Sequence, residues 1–219
     1  MRIHLRVRQF QAAIKGTLVL VALVGALSGC TTDTAETPIN SDNICIIFQQ
    51  YPRWYWESVA SYQKWGVPVS IQMAMMRQES SFQANAQPPR NKLLGIIPWT
   101  RPSSAYGYSQ ALDGTWAQYQ QETKNTDAQR DSFGDAVDFM GWYGAKVNQK
   151  LGISKRDPYN LYLAYHEGMN GYANGSYKSQ TWLINIAQKV QSDANTYRNQ
   201  LLYCYQNIPK PSVWNLWLH

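Results

Sequence analysis

The sequence predicts a mainly α fold, and three observations carry that expectation. Apolar residues recur at helical spacing in several stretches, helix start signals precede most of them, and alternating strand patterns are nearly absent. From Ile44 to Trp65 runs an apolar and aromatic stretch that Pro52 interrupts, which predicts one or two short helices. Pro68 suits the first turn of the next helix, which Val69 to Met76 continues and which ends near Glu79-Ser80. Between Gln83 and Ser104 lie four prolines and little periodicity, so this segment reads as a long loop. Asp113 can cap a helix through Trp116 and Tyr119. Phe133, Ala136, Val137, Met140 and Tyr143 lie at helical spacing in a further helix over 132–150. Asp157-Pro158 is a start signal for a helix through Tyr165. Ser179 can cap a final helix containing Trp182, Ile186, Val190, Tyr197, Leu201 and Cys204. Residues 43–219 have the size of one domain, with no internal repeat.

The first 29 residues read as an export signal rather than as part of the fold. Arg2, Arg6, Arg8 and Lys15 form a basic start, an apolar run from Thr17 to Leu27 follows, and Ser28-Gly29-Cys30 closes it. The apolar run falls short of the roughly 20 residues that span a bilayer. Leu27-Ser28-Gly29-Cys30 resembles the bacterial lipobox, which implies acylation of Cys30 and attachment to a membrane through that lipid. Thr31 rather than Asp after the cysteine resembles the sorting signal for the outer membrane, on its periplasmic side. An uncleaved anchor or an ordinary signal peptide is the alternative. Cys30 and residues 31–42, rich in Thr, Asp, Ser and Pro, then form a flexible tether.

Charge and cysteine follow from this reading. The chain has 20 basic and 14 acidic residues, net +6, but four of the basic ones lie in residues 1–29, which leaves +2. The pI of 9.2 therefore reports mostly the leader and gives no support for nucleic-acid binding. With Cys30 acylated, Cys45 and Cys204 remain as one pair in an oxidising compartment, and a disulfide is expected between them. Metal binding lacks partners, because His4, His166 and His219 are not at ligand spacing. No cofactor is expected.

Glu79 is the first candidate for chemistry. On the helix that begins near Pro68 it shares a face with Ile71, Gln72, Met75 and Met76, and it sits at the C-terminal end, where the macrodipole opposes negative charge. Apolar surroundings and dipole both favour a raised pKa, and a carboxylic acid still protonated near neutral pH can protonate a glycosidic oxygen. A solvated glutamate paired with Arg77 or Arg90 is the plain alternative.

Three segments bear on that choice: Arg77-Gln78-Glu79-Ser80-Ser81-Phe82, Gly107-Tyr108-Ser109-Gln110 and Ala164-Tyr165-His166-Glu167-Gly168. In this order they resemble the E-S-x-F, G-L-M-Q and A-Y-N-A-G signatures of the soluble lytic transglycosylase catalytic domain, over roughly residues 65–175. The resemblance implies a lysozyme-like, mainly α fold related to goose-type lysozymes, peptidoglycan glycan strands as substrate, and Glu79 as the single acid and base. It implies that Ser80 lines the cleft, that Gly107 lets backbone approach the sugar, and that Gln110 offers it hydrogen bonds. Tyr165 would place its hydroxyl near the acid. Tyr108 and Ser109 replace Leu and Met in the cleft wall, His166 replaces the Asn that meets a sugar acetamide, and Glu167 replaces Ala as a surface charge near a turn.

The aromatics divide by position. Trp99, Tyr106, Tyr108, Tyr172 and Tyr177 lie in or beside loops and are candidates for the groove, whereas Trp54, Trp56, Trp116, Trp142 and Trp182 fall on helical patterns and are expected in the core. Two rival functions stand beside a lytic transglycosylase. One is a hydrolytic muramidase of the same fold, and the other is a wall-binding or assembly lipoprotein without activity.

Overall fold

The computed structural model describes residues 37–90, 92–93, 97–98 and 103–210. Cys30, the leader, residues 31–36 of the tether, Trp99 and residues 211–219 lie outside the described residues. The fold is mainly α, as the sequence predicts.

Pro52 divides the first stretch as expected. Helix α1 (Ile44–Gln50) is capped by Asn43, whose side chain accepts from the Cys45 and Ile46 amides, and α2 (Pro52–Trp65) starts on the proline and stops at left-handed Gly66. Helix α3 (Val69–Ser80) is buried at every position from Ser70 to Met76, which makes it the central helix of the bundle. The loop after α3 holds two two-residue strands, β1 (Lys92–Leu93) and β2 (Ile97–Pro98), paired antiparallel with Lys92 opposite Pro98 and Leu93 opposite Ile97. The remaining helices are α4 (Asp113–Thr123), α5 (Phe133–Leu151), α6 (Pro158–Asn174) and α7 (Thr181–Cys204).

Two expected caps are corrected. Asp113 is the first residue of α4 rather than its cap, where its charge still suits the dipole, and α7 is preceded by Gln180, not Ser179, with no side-chain cap. Helix α6 also runs beyond Tyr165 to Asn174, through a non-helical Gly168 (φ 71°, ψ 159°). Glycine is the residue that reaches this conformation cheaply.

Around α3 the other helices pack closely. Gly141 and Gly144 of α5 let it approach α2 and the following loop, because a Cβ on them would fall 2.4 Å from the Ser61 hydroxyl and 2.7 Å from Val67. The Cys45–Cys204 disulfide ties α1 to the end of α7, as the cysteine count foretold. Residues 37–42, read as part of a free tether, are instead bonded to the domain. The Thr37 carbonyl accepts from the Tyr51 hydroxyl at 3.1 Å, and the Ser41 carbonyl accepts from Tyr197.

Candidate active site

The chain turns sharply after α3, and that turn fixes Glu79. Ser81 and Phe82 both adopt left-handed backbone (φ 52° and 62°), and the Ser81 amide closes on the Arg77 carbonyl at 2.9 Å. Phe82 then plunges into the core against Trp54, with ring centroids 6.0 Å apart, and acts as an anchor for the helix end. Ser80 does not offer its hydroxyl to a cleft; it is buried and donates to the Met76 carbonyl at 3.2 Å. Arg77 faces the other way, paired with Asp42 and, at 3.5 Å, with Asp193. The ion pair between Arg77 and Glu79 considered as an alternative is therefore not formed.

Glu79 is partly covered, and its Oε1 is fully buried with no hydrogen-bond partner among the described residues. Burial pushes its carboxyl up to about 7, with the Tyr162 hydroxyl offsetting part of that rise. Burial and the Glu79 charge hold the Tyr162 and Tyr165 phenols well above their usual range, so both keep their protons as donors.

The turn at 107–110 supports this site from below. Gly107 (φ 76°) has the Arg130 carbonyl where a Cβ would sit, at 2.1 Å, so its missing side chain makes room for protein backbone rather than for a sugar. Tyr108 is 3% exposed and packs edge-on against Trp54 and Phe133, inside the core and not on a cleft wall. Gln110 spends its amide nitrogen on the Ala86 and Gly107 carbonyls, both at 2.8 Å, which fastens the loop after α3 to the turn. Ser109 is buried, and its carbonyl accepts the Tyr165 hydroxyl at 2.6 Å. The second and third signatures thus meet at this bond.

Helix α6 supplies the wall that faces Glu79. Tyr162 and Tyr165 lie three apart and so share a face; sequence reasoning missed Tyr162, which belongs to no signature, and this spacing is the signal that could have found it. His166 is exposed and its Nδ1 lies 3.2 Å from Glu167 Oε1. Glu167 is not a loose surface charge: its other oxygen accepts from the Ser176 hydroxyl and, at 3.0 Å, from Gln180 Nε2. Trp54, Trp116 and Trp142 are core as expected, but two tryptophans are corrected: Trp56 is half-buried and donates to the Pro209 carbonyl at 2.7 Å, and Trp182 is 52% exposed because it lies on the first turn of α7, beside His166.

A partly covered acid at the tip of a central helix, raised to about 7 by burial and faced by two phenols, can hold and release a proton near neutral pH. A family profile described as "Transglycosylase SLT domain" matches residues 18–204, and the chain belongs to this family. Membership supports a peptidoglycan-cleaving function of the lytic transglycosylase type and implies peptidoglycan as the substrate bound. No curated protein matches the chain.

Proposed function

We propose that the protein cleaves the β-1,4 bond between N-acetylmuramic acid and N-acetylglucosamine without using water, with Glu79 as its one catalytic acid and base. The observation that carries this reading is the isolation of Glu79. Burial and Tyr162 are what act on its carboxyl, and no second acid among the described residues does. The two acids that might have served as a partner are engaged elsewhere. Asp113 pairs with Arg130 at 2.8 Å, and Glu167 holds Ser176, Gln180 and His166. A hydrolase of the usual kind needs two carboxyl groups flanking the bond.

One carboxyl suffices for the following sequence. Protonated Glu79 gives its proton to the bridging oxygen, and the bond from that oxygen to the muramyl anomeric carbon breaks. The carbonyl oxygen of the sugar's own acetamide closes on the anomeric carbon as the bond parts. Glu79, now ionised, takes the proton of the 6-hydroxyl, whose oxygen displaces the acetamide and leaves a 1,6-anhydro end. The proton is back on Glu79 and nothing has been consumed. An acid that must also act as a base works best with a pKa near the working pH, which is where burial puts this one. The Tyr165 hydroxyl, held by the Ser109 carbonyl, lies in the field of Glu79 and fits a role in steadying the charge that moves through it.

Digestion of purified murein in ¹⁸O-labelled water tests the reaction class. The expected products are anhydro-muramyl ends without label. Labelled reducing ends would instead assign a muramidase. The same reading has the chain exported, acylated on Cys30 and held on the periplasmic side of the outer membrane, resting on residues 1–31. Incorporation of labelled palmitate that Cys30→Ser abolishes is the expected result, and label that survives this change would refute the anchor.

A further inference from the structure

Trp182 differs from the tryptophans of the core. At 52% exposure it leaves much of a large apolar ring in water, which folding alone does not reward. Its surroundings are nevertheless ordered. The ring meets His166 edge-on at 5.2 Å between centroids, and His166 lies 6.5 Å from the ring of Tyr162, which touches Glu79. A strip of rings therefore leads from the covered acid out to solvent.

One carboxylate holds the outer part of this strip. Glu167 faces His166 Nδ1 at 3.2 Å and accepts from Gln180, the residue immediately before α7, at 3.0 Å. It also binds Ser176 in the turn between α6 and α7. The non-helical Gly168 bends the chain so that this carboxylate can reach both segments. The Ser176 hydroxyl first, and then His166 and Gln180, hold the Glu167 carboxyl below its usual range, so it stays ionised as an acceptor.

We propose that Trp182 adds a saccharide-stacking subsite to the site beside Glu79, with Glu167 as the positioning residue that sets Trp182 and His166. The proposal rests on the glycan-cleaving reading above and names where the strand lies along the site. The ligand class is an N-acetylated hexosamine. A tryptophan face stacks on the C–H face of a pyranose ring, which covers the exposed indole. Glu167 can only accept, so Nδ1 turns its hydrogen toward the carboxylate, which fixes the ring and leaves Nε2 for the polar groups of the sugar.

The test titrates the full chain, carrying Glu79→Gln so that nothing is cut, with chitotetraose by calorimetry. Adding Trp182→Ala is expected to weaken affinity about tenfold, while Trp182→Phe keeps it within about threefold. Glu167→Ala is expected to weaken binding comparably and Glu167→Gln to restore most of it, a rescue that a general loss of folding would not give. Should Glu167→Ala fail to fold, the two Trp182 variants decide. Binding that is unchanged in Trp182→Ala would overturn the subsite. The chain with Glu79 intact is assayed on sacculi in parallel, which separates the two readings. Digestion with no dependence of binding on Trp182 removes the subsite alone. Binding that depends on Trp182 without any digestion removes the glycan-cleaving reading instead.

Discussion

Glu79 has a carboxyl that burial raises to about 7 from an ordinary 4.5, and two consequences follow at the scale of this residue. In the proposed mechanism the protonated form starts the reaction, so the rate should fall as pH rises through about 7. Tyr162→Phe removes the hydroxyl that lowers this pKa, and the falling limb should move to higher pH; a limb that stays or moves down would contradict the role of Tyr162. The second consequence concerns stability. A carboxyl whose folded pKa lies above its unfolded one costs the fold nothing while protonated. The cost appears as pH rises from about 4.5 and is complete above about 7, at on the order of 3 kcal/mol. Glu79→Gln should therefore match the parent in urea unfolding at pH 4 and exceed it at pH 8. The raised pKa of Glu79 was legible from its helix face and its place at the helix end. The roles of Ser80, Gly107, Tyr108 and Gln110 were not, because a signature states which residue stands at a turn but not whether the side chain looks out or in. Each of these four serves the turn that holds the site.

At the scale of elements, two glycines with similar φ make a useful comparison. Gly107 and Gly168 have φ of 76° and 71°, so alanine is strained at both. At Gly168 an added Cβ meets nothing within 4 Å, and the loss should be about 1–3 kcal/mol. At Gly107 it would meet the Arg130 carbonyl at 2.1 Å, so Gly107→Ala should lower the thermal midpoint further than Gly168→Ala. Equal losses would mean that the contact with Arg130 is not formed. The helices themselves were readable in the sequence. Pro52, Pro68 and Asp157-Pro158 act through local backbone physics that needs no partner. What escaped is what depends on partners. The pairing of 92–93 with 97–98 rests on two short segments without strand pattern, and α6 continues past Tyr165 through the bend at Gly168, where Glu167 bonds Ser176 and Gln180. Trp182 follows a helical apolar pattern, yet it lies on the turn where α7 emerges and has no core to enter.

Over the whole molecule, the Cys45–Cys204 bridge closes a loop with a sequence separation of 159 and joins the two ends of the helical domain. Constraint of the unfolded chain by a loop of that length is worth about 5 kcal/mol, so reduction should lower the denaturant midpoint markedly; an unchanged midpoint would show that the helices hold without it. The rest of the architecture serves one helix. The other helices cover α3 so completely that its last turn presents a single acid to α6 and little else. The most direct measurement is solubilisation of purified sacculi near pH 6 by the wild-type chain and by Glu79→Gln side by side. Release of muropeptides by the wild type, with none above background from the glutamine variant, is the expected result. Comparable release by both would contradict the assignment of Glu79 as the proton donor.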